Sequence, residues 1–63
     1  MEIPKFDIRW LVEGMHVATP DAEIKADIRR RAKGWPEEKI VEAEDYAVEC
    51  MNENRQLCKD FRL

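Results

Sequence analysis

The chain lacks several features that would assign it to a large class of proteins. Its 63 residues contain no run of 18 apolar residues, so we predict no segment that spans a membrane. The opening MEIPKFDIRW has no apolar stretch of the kind found in a signal peptide. Two cysteines without such a signal predict free thiols in a reducing compartment and a cytoplasmic location.

Residues that carry catalysis or bind metals are equally scarce. There is one histidine, and the two cysteines, Cys50 and Cys58, would lie about 12 Å apart along a helix, too far to share a zinc ion or a disulfide. The chain has no Ser/His/Asp set, no glycine-rich phosphate loop and no H-E-x-x-H motif. So short a chain also has little room for a substrate cavity. We therefore predict a non-enzymatic protein without a metal or a cofactor.

The chain does contain the mixture of charged and apolar residues typical of small helical domains. Hydrophobic residues make up 44% and charged residues 40%, and the net charge is −3. Residues 36–63 hold four basic and eight acidic residues, which counts against a dedicated nucleic-acid-binding domain because such domains are usually basic. A single domain of this size has a net stability of only about 3–5 kcal/mol, so a partner chain would help it.

Proline and glycine divide the chain into three predicted helices that form one all-α domain. The first covers residues 5–13 and ends at Gly14 in the left-handed conformation. The second covers residues 20–33, with Thr19 as N-cap, Pro20 at the first helical position and Gly34 at its end. The third covers residues 36–61. We predict that the second and third helices form a helical hairpin with the first packed across it.

A β-hairpin over residues 5–17 is the alternative for the first segment, which would make the fold ββαα. Phe6, Ile8 and Trp10 alternate with charged residues, and Gly14 suits a tight turn. The i,i+4 spacing of Phe6 and Trp10 favours the helix.

The third helix carries a heptad seam, a row of positions spaced alternately three and four residues apart: Ile40, Ala43, Ala47, Cys50, Asn54, Leu57 and Phe61. This helix would be about 38 Å long and the second only about 21 Å. The second helix cannot cover the whole seam, so either the first segment or another molecule must pack against the rest. A polar residue such as Asn54 commonly sets the register of a coiled coil. We predict a homodimer through Asn54, Leu57 and Phe61; the alternative places Asn54 at the wet edge of a monomer's core.

Four basic residues of the second helix are candidates for binding a partner. Lys25, Arg29 and Lys33 share one helical face and Arg30 lies beside it, so this basic stripe could contact phosphates or an acidic protein surface. The alternative is a solvated face neutralised by Asp21–Lys25 and Asp27–Arg31 pairs. Trp10 is a fifth candidate, as an aromatic anchor.

These patterns favour a protein–protein interaction module, a homodimeric accessory or regulatory protein that binds or occludes a macromolecular partner. A helix-turn-helix regulator is one alternative, because the turn at Gly34 resembles that motif. Its recognition helix would begin with Glu37 and Glu38, which repel phosphates, so a protein is the expected partner. The other alternative is an acidic inhibitor that mimics nucleic acid through Glu42, Glu44, Asp45, Glu49 and Glu53.

Overall fold

A computed structural model describes the backbone of residues 5–60 and the side chains of residues 7–58. It contains three helices, α1 (Lys5–Glu13), α2 (Asp21–Arg31) and α3 (Glu37–Asp60). No strand occurs within the described range. The predicted all-α domain is therefore confirmed, and the alternative β-hairpin over residues 5–17 is wrong.

The position of the apolar side chains explains why the first segment is a helix. Ile8 and Val12, four residues apart, are both buried in the core, and Leu11 and Met15 pack against it. A strand would place Ile8 and Trp10 on the same face. Ile8 is buried whereas Trp10 is exposed, as the helical period requires.

The start of α2 differs from the prediction by one residue. The Pro20 carbonyl accepts the N–H groups of Glu23 at 3.0 Å and Ile24 at 3.1 Å, and the Pro20 backbone is extended. These are the properties of an N-cap, so Pro20, and not Thr19, occupies that position. The ring of Pro20 presets φ near −65°, which suits both the cap and the first helical position.

The two glycines end their helices in different ways. Gly34, predicted to follow the end of the second helix, has a left-handed backbone with φ of 93°, although α2 already ends at Arg31. Gly14 does not have a positive φ, so the predicted left-handed end of α1 is wrong. Its N–H is shared between the carbonyls of Trp10 and Leu11, each at 3.2 Å, which tightens the last turn instead.

Helix α3 is the central element, and α1 and α2 both pack against it. Residues of all three helices build one core: Ile8, Val12, Ile24, Ile28, Ala43, Ala47, Cys50 and Met51. α2 runs antiparallel to α3, because Arg29 contacts Glu44 while Asp21 contacts Arg55. At 1.5 Å per residue α3 is about 36 Å long and α2 only about 16 Å. Helix α2 can therefore pack along only part of the length of α3.

Candidate protein-binding surface

The basic stripe of α2 is partly engaged within the protein. Arg29 donates two hydrogen bonds to Glu37, at 3.0 and 2.9 Å, and two to Glu44, both at 3.2 Å. The hydrogen bonds to Glu37, followed by the smaller contribution of those to Glu44, raise the pKa of Arg29. In turn, the Arg29 guanidinium lowers the pKa of Glu37. Most donors of the Arg29 guanidinium are therefore occupied. Lys25 and Lys33 are exposed and form no ion pair with another described residue.

A second charged cluster lies at Asp27, where two arginines meet one carboxylate. Arg30 donates to it at 2.5 Å and Arg31 at 3.4 Å, so the expected Asp27–Arg31 pair is confirmed. Partial burial by itself would raise the pKa of Asp27, but the bonds from the two arginines outweigh it and lower the pKa. The cluster carries one surplus positive charge, on arginine side chains that are at least half exposed.

The acidic face of α3 is less continuous than the sequence pattern indicates. Glu44 is buried against α2 in its ion pair with Arg29. Glu53 forms an ion pair with Arg9 at 3.1 Å. Hydrogen bonds from Arg9 to Tyr46, which has the larger effect, and to Glu53 raise the pKa of Arg9. The exposed acids on this face that are outside these pairs are Glu42, Asp45 and Glu49.

The heptad seam of α3 passes gradually from the core to the solvent. Its first four members, Ile40, Ala43, Ala47 and Cys50, are buried. Asn54 is half-buried, and Leu57 is 53% exposed. Phe61, the last predicted contact of the homodimer, lies outside the described residues.

A shallow depression adjoins this exposed end of the seam. The seam groove has a volume of about 250 Å³ and is lined by Glu13, Met15, Val17, Asn54, Leu57 and Cys58. Cys58 is an exposed free thiol, whereas Cys50 is buried in the core. The groove therefore combines apolar side chains of the loop with the seam residues predicted to associate.

A larger depression lies beside Trp10. The Trp10 groove has a volume of about 490 Å³ and is lined by Trp10, Leu11, Glu13, Gly14, Met15 and Asp27. The Trp10 side chain is 76% exposed, the most of any large apolar residue described. Glu13 and Met15 line both grooves, so the two depressions adjoin each other at the end of α1.

Arg55, which the sequence patterns did not predict to be important, holds the loop between α1 and α2 onto α3. Its guanidinium donates to the carbonyl oxygens of Val17 at 3.0 Å and Thr19 at 2.6 Å. It also donates to Asp21 and Asn52, each at 3.0 Å. The predicted Asp21–Lys25 pair is thus replaced by Asp21–Arg55. The only signal in the sequence is that Arg55 is the sole basic residue between Lys39 and Lys59.

Neither a metal-binding cluster nor a similar protein helps to assign this surface. The described residues contain no group of three or more histidine, cysteine or acidic side chains placed to hold a metal ion. Within the same part of the chain, no helix has the length and apolar composition needed to cross a bilayer. Known protein-family models, curated proteins and solved structures gave no match to the chain.

Proposed function

We propose that the protein is a non-enzymatic interaction module, which forms a homodimer through the C-terminal half of α3 and acts by binding or occluding a macromolecular partner. The observation that carries this proposal is the heptad seam. It is buried from Ile40 to Cys50 and then reaches the solvent at Leu57, which is 53% exposed. A sequence that keeps apolar spacing beyond its own core has a surface suited to another helix.

A symmetric dimer uses the same patch of both protomers, so burial at the interface contributes twice. Full burial of a leucine side chain stabilises by about 1.5–3 kcal/mol. About half of Leu57 is already covered, so its remaining burial contributes roughly 0.8–1.5 kcal/mol per protomer. Asn54, half-buried one turn earlier, would hydrogen-bond across the interface and set the register.

The two alternative functions have weaker support. DNA binding would use the basic stripe, but Arg29 is engaged by Glu37 and Glu44 and so offers little charge to a phosphate. Mimicry of nucleic acid would use the acidic face, but Glu44 is buried and Glu53 is paired with Arg9. Neither surface matches the continuous row of charge that each function needs.

Sedimentation equilibrium in the presence of reductant, over a hundredfold range of concentration, tests the homodimer. The expected result is a mass approaching twice 7.5 kDa at the upper concentrations. Leu57→Glu should give a monomer, because it places a charge in the interface. Val41→Glu is the matched control, since Val41 is also on α3 and 42% exposed but lies away from the seam groove. A wild-type monomer at every concentration would overturn the proposed dimer.

A further inference from the structure

The Trp10 groove has the properties of a docking site for a separate protein segment. Trp10 forms its wall with 76% of the side chain exposed, and the half-buried side chains of Leu11 and Met15 contribute apolar surface. Tryptophan is among the residues most enriched at the energetic centres of interfaces. The groove volume of about 490 Å³ lies within the usual range of ligand-binding clefts, about 300–1,000 Å³.

Charges of opposite sign flank this groove. On the α1 side, Glu13 is exposed and forms no hydrogen bond or ion pair with another described residue. On the α2 side, Asp27 lines the groove but is already neutralised by Arg30 and Arg31, which leaves one surplus positive charge there. A complementary occupant therefore carries a basic residue toward α1 and an acidic residue toward α2.

We infer that the Trp10 groove binds a short amphipathic helix of a partner protein. This helix packs an apolar side chain against Trp10, a lysine or arginine beside Glu13 and an acid beside the cluster that Arg30 and Arg31 form with Asp27. A helix suits the site because the described part of the chain has no strand edge for an extended peptide to join. Apolar anchors at i, i+4 and i+7 would follow the apolar surface. The inference rests on the proposed binding of a macromolecular partner, but Trp10 lines only this groove and Leu57 only the seam groove, so substitutions at these two residues test the docking site and the homodimer separately.

A displayed library of helical peptides tests the inference. Each peptide has ~14 residues, or about four turns, with apolar anchors on one face and lysine, glutamate or glutamine varied on both flanks. The library is selected on the wild-type protein after depletion on Trp10→Ala, which should fold because Trp10 is largely exposed. The enriched peptides are expected to carry lysine on one flank and glutamate on the other. Failure to enrich any peptide over the Trp10→Ala protein would overturn the inference.

Binding of the best labelled peptide, measured by fluorescence anisotropy, then tests the individual contacts. Trp10→Ala should weaken it at least about tenfold, as expected for an interface hot spot. Glu13→Lys should weaken it and should favour a peptide with glutamate on both flanks, because the α2 side keeps its surplus positive charge. Glu38→Lys, at an exposed acid outside the groove, should have no effect. Equal binding by the Glu13→Lys protein would contradict the assigned orientation.

A second copy of the chain is the competing occupant, and sedimentation separates the two cases. If Trp10→Ala abolishes a dimer that Leu57→Glu leaves intact, the groove serves self-association and the inference is overturned. If Leu57→Glu gives a monomer that still binds the peptide, the docking site is supported separately from the homodimer. If neither substitution changes the mass and the peptide still binds, the homodimer proposal fails and the docking site stands.

Discussion

Replacing Arg55 by alanine should remove a large part of the stability of this small domain. The Arg55 guanidinium donates to the carbonyl oxygens of Val17 and Thr19, which belong to the loop between α1 and α2. Hydrogen bonds from a charged donor contribute about 1.5–3 kcal/mol each. Because the Arg55 side chain is 33% exposed, we apply the lower end of that range to each bond and expect a loss of about 3 kcal/mol for the two bonds together.

The loss expected for Arg55→Ala is large relative to the net stability of the domain. A domain of this size has a net stability of about 3–5 kcal/mol, so Arg55→Ala should lose half or more of it. The ion pair of Arg55 with Asp21 contributes much less, about 0–1 kcal/mol, because the Asp21 side chain is half exposed. Asp21→Asn is therefore the matched control, and Arg55→Lys, which keeps the charge but not the planar fork of donors, should be intermediate.

Urea unfolding followed by circular dichroism measures these differences as changes in the midpoint at constant slope. The same loop carries Met15 and Val17, which line the grooves, so Arg55→Ala should also weaken peptide binding at the Trp10 groove. An Arg55→Ala protein within about 0.5 kcal/mol of the wild type, the range of an ordinary surface substitution, would refute the assigned role of the guanidinium.

Three further predictions concern the core, the dimer and the response to acid. Ile28→Val should cost about 1 kcal/mol and lower Tm by about 4–8 °C in a thermal melt, and Ile28→Ala, at about 2–5 kcal/mol, should leave the domain largely unfolded. Leu57→Ala should raise the dimer Kd roughly 10- to 100-fold in sedimentation velocity, because about half a leucine is lost from each protomer, while an unchanged Kd would contradict the assigned interface. Arg29 lowers the pKa of Glu37, so the stability from this pair is present above about pH 4.5 and is lost as the pH falls through the lower, folded-state pKa. Glu37→Gln should flatten this part of the urea-midpoint profile between about pH 6 and pH 3, and an identical slope would count against the pair.

The helical architecture was largely readable in the sequence because its determinants are local. The prolines at positions 20 and 36 immediately precede α2 and α3, and Gly34 lies in the turn between these two helices. The heptad spacing of α3 marked the buried seam residues from Ile40 to Cys50. Errors at helix ends, such as Thr19 in place of Pro20 as N-cap, amount to one or two residues, since hydrogen bonds shift there at little energetic cost.

The first segment shows where the local pattern was insufficient. Its apolar residues satisfy both a helical and a strand period, so the sequence alone left two interpretations. The interior contacts of Ile8 and Val12 are met only by the helical period, which buries these two side chains and exposes Trp10. The same packing of α1 exposes Trp10 and places it near Asp27, and this forms the Trp10 groove.

The helices, the heptad seam and the candidate residues could be predicted from the amino-acid sequence, because period and turn chemistry depend on neighbours in the chain. Which charged side chains pair with one another became visible in the folded arrangement of the three helices. Arg29 lies against Glu44, Arg55 holds the loop that precedes α2, and Glu13 pairs with no other described residue at the groove. These pairings depend on the stagger and rotation of one helix relative to another, which the packing of the whole core sets and no local spacing encodes.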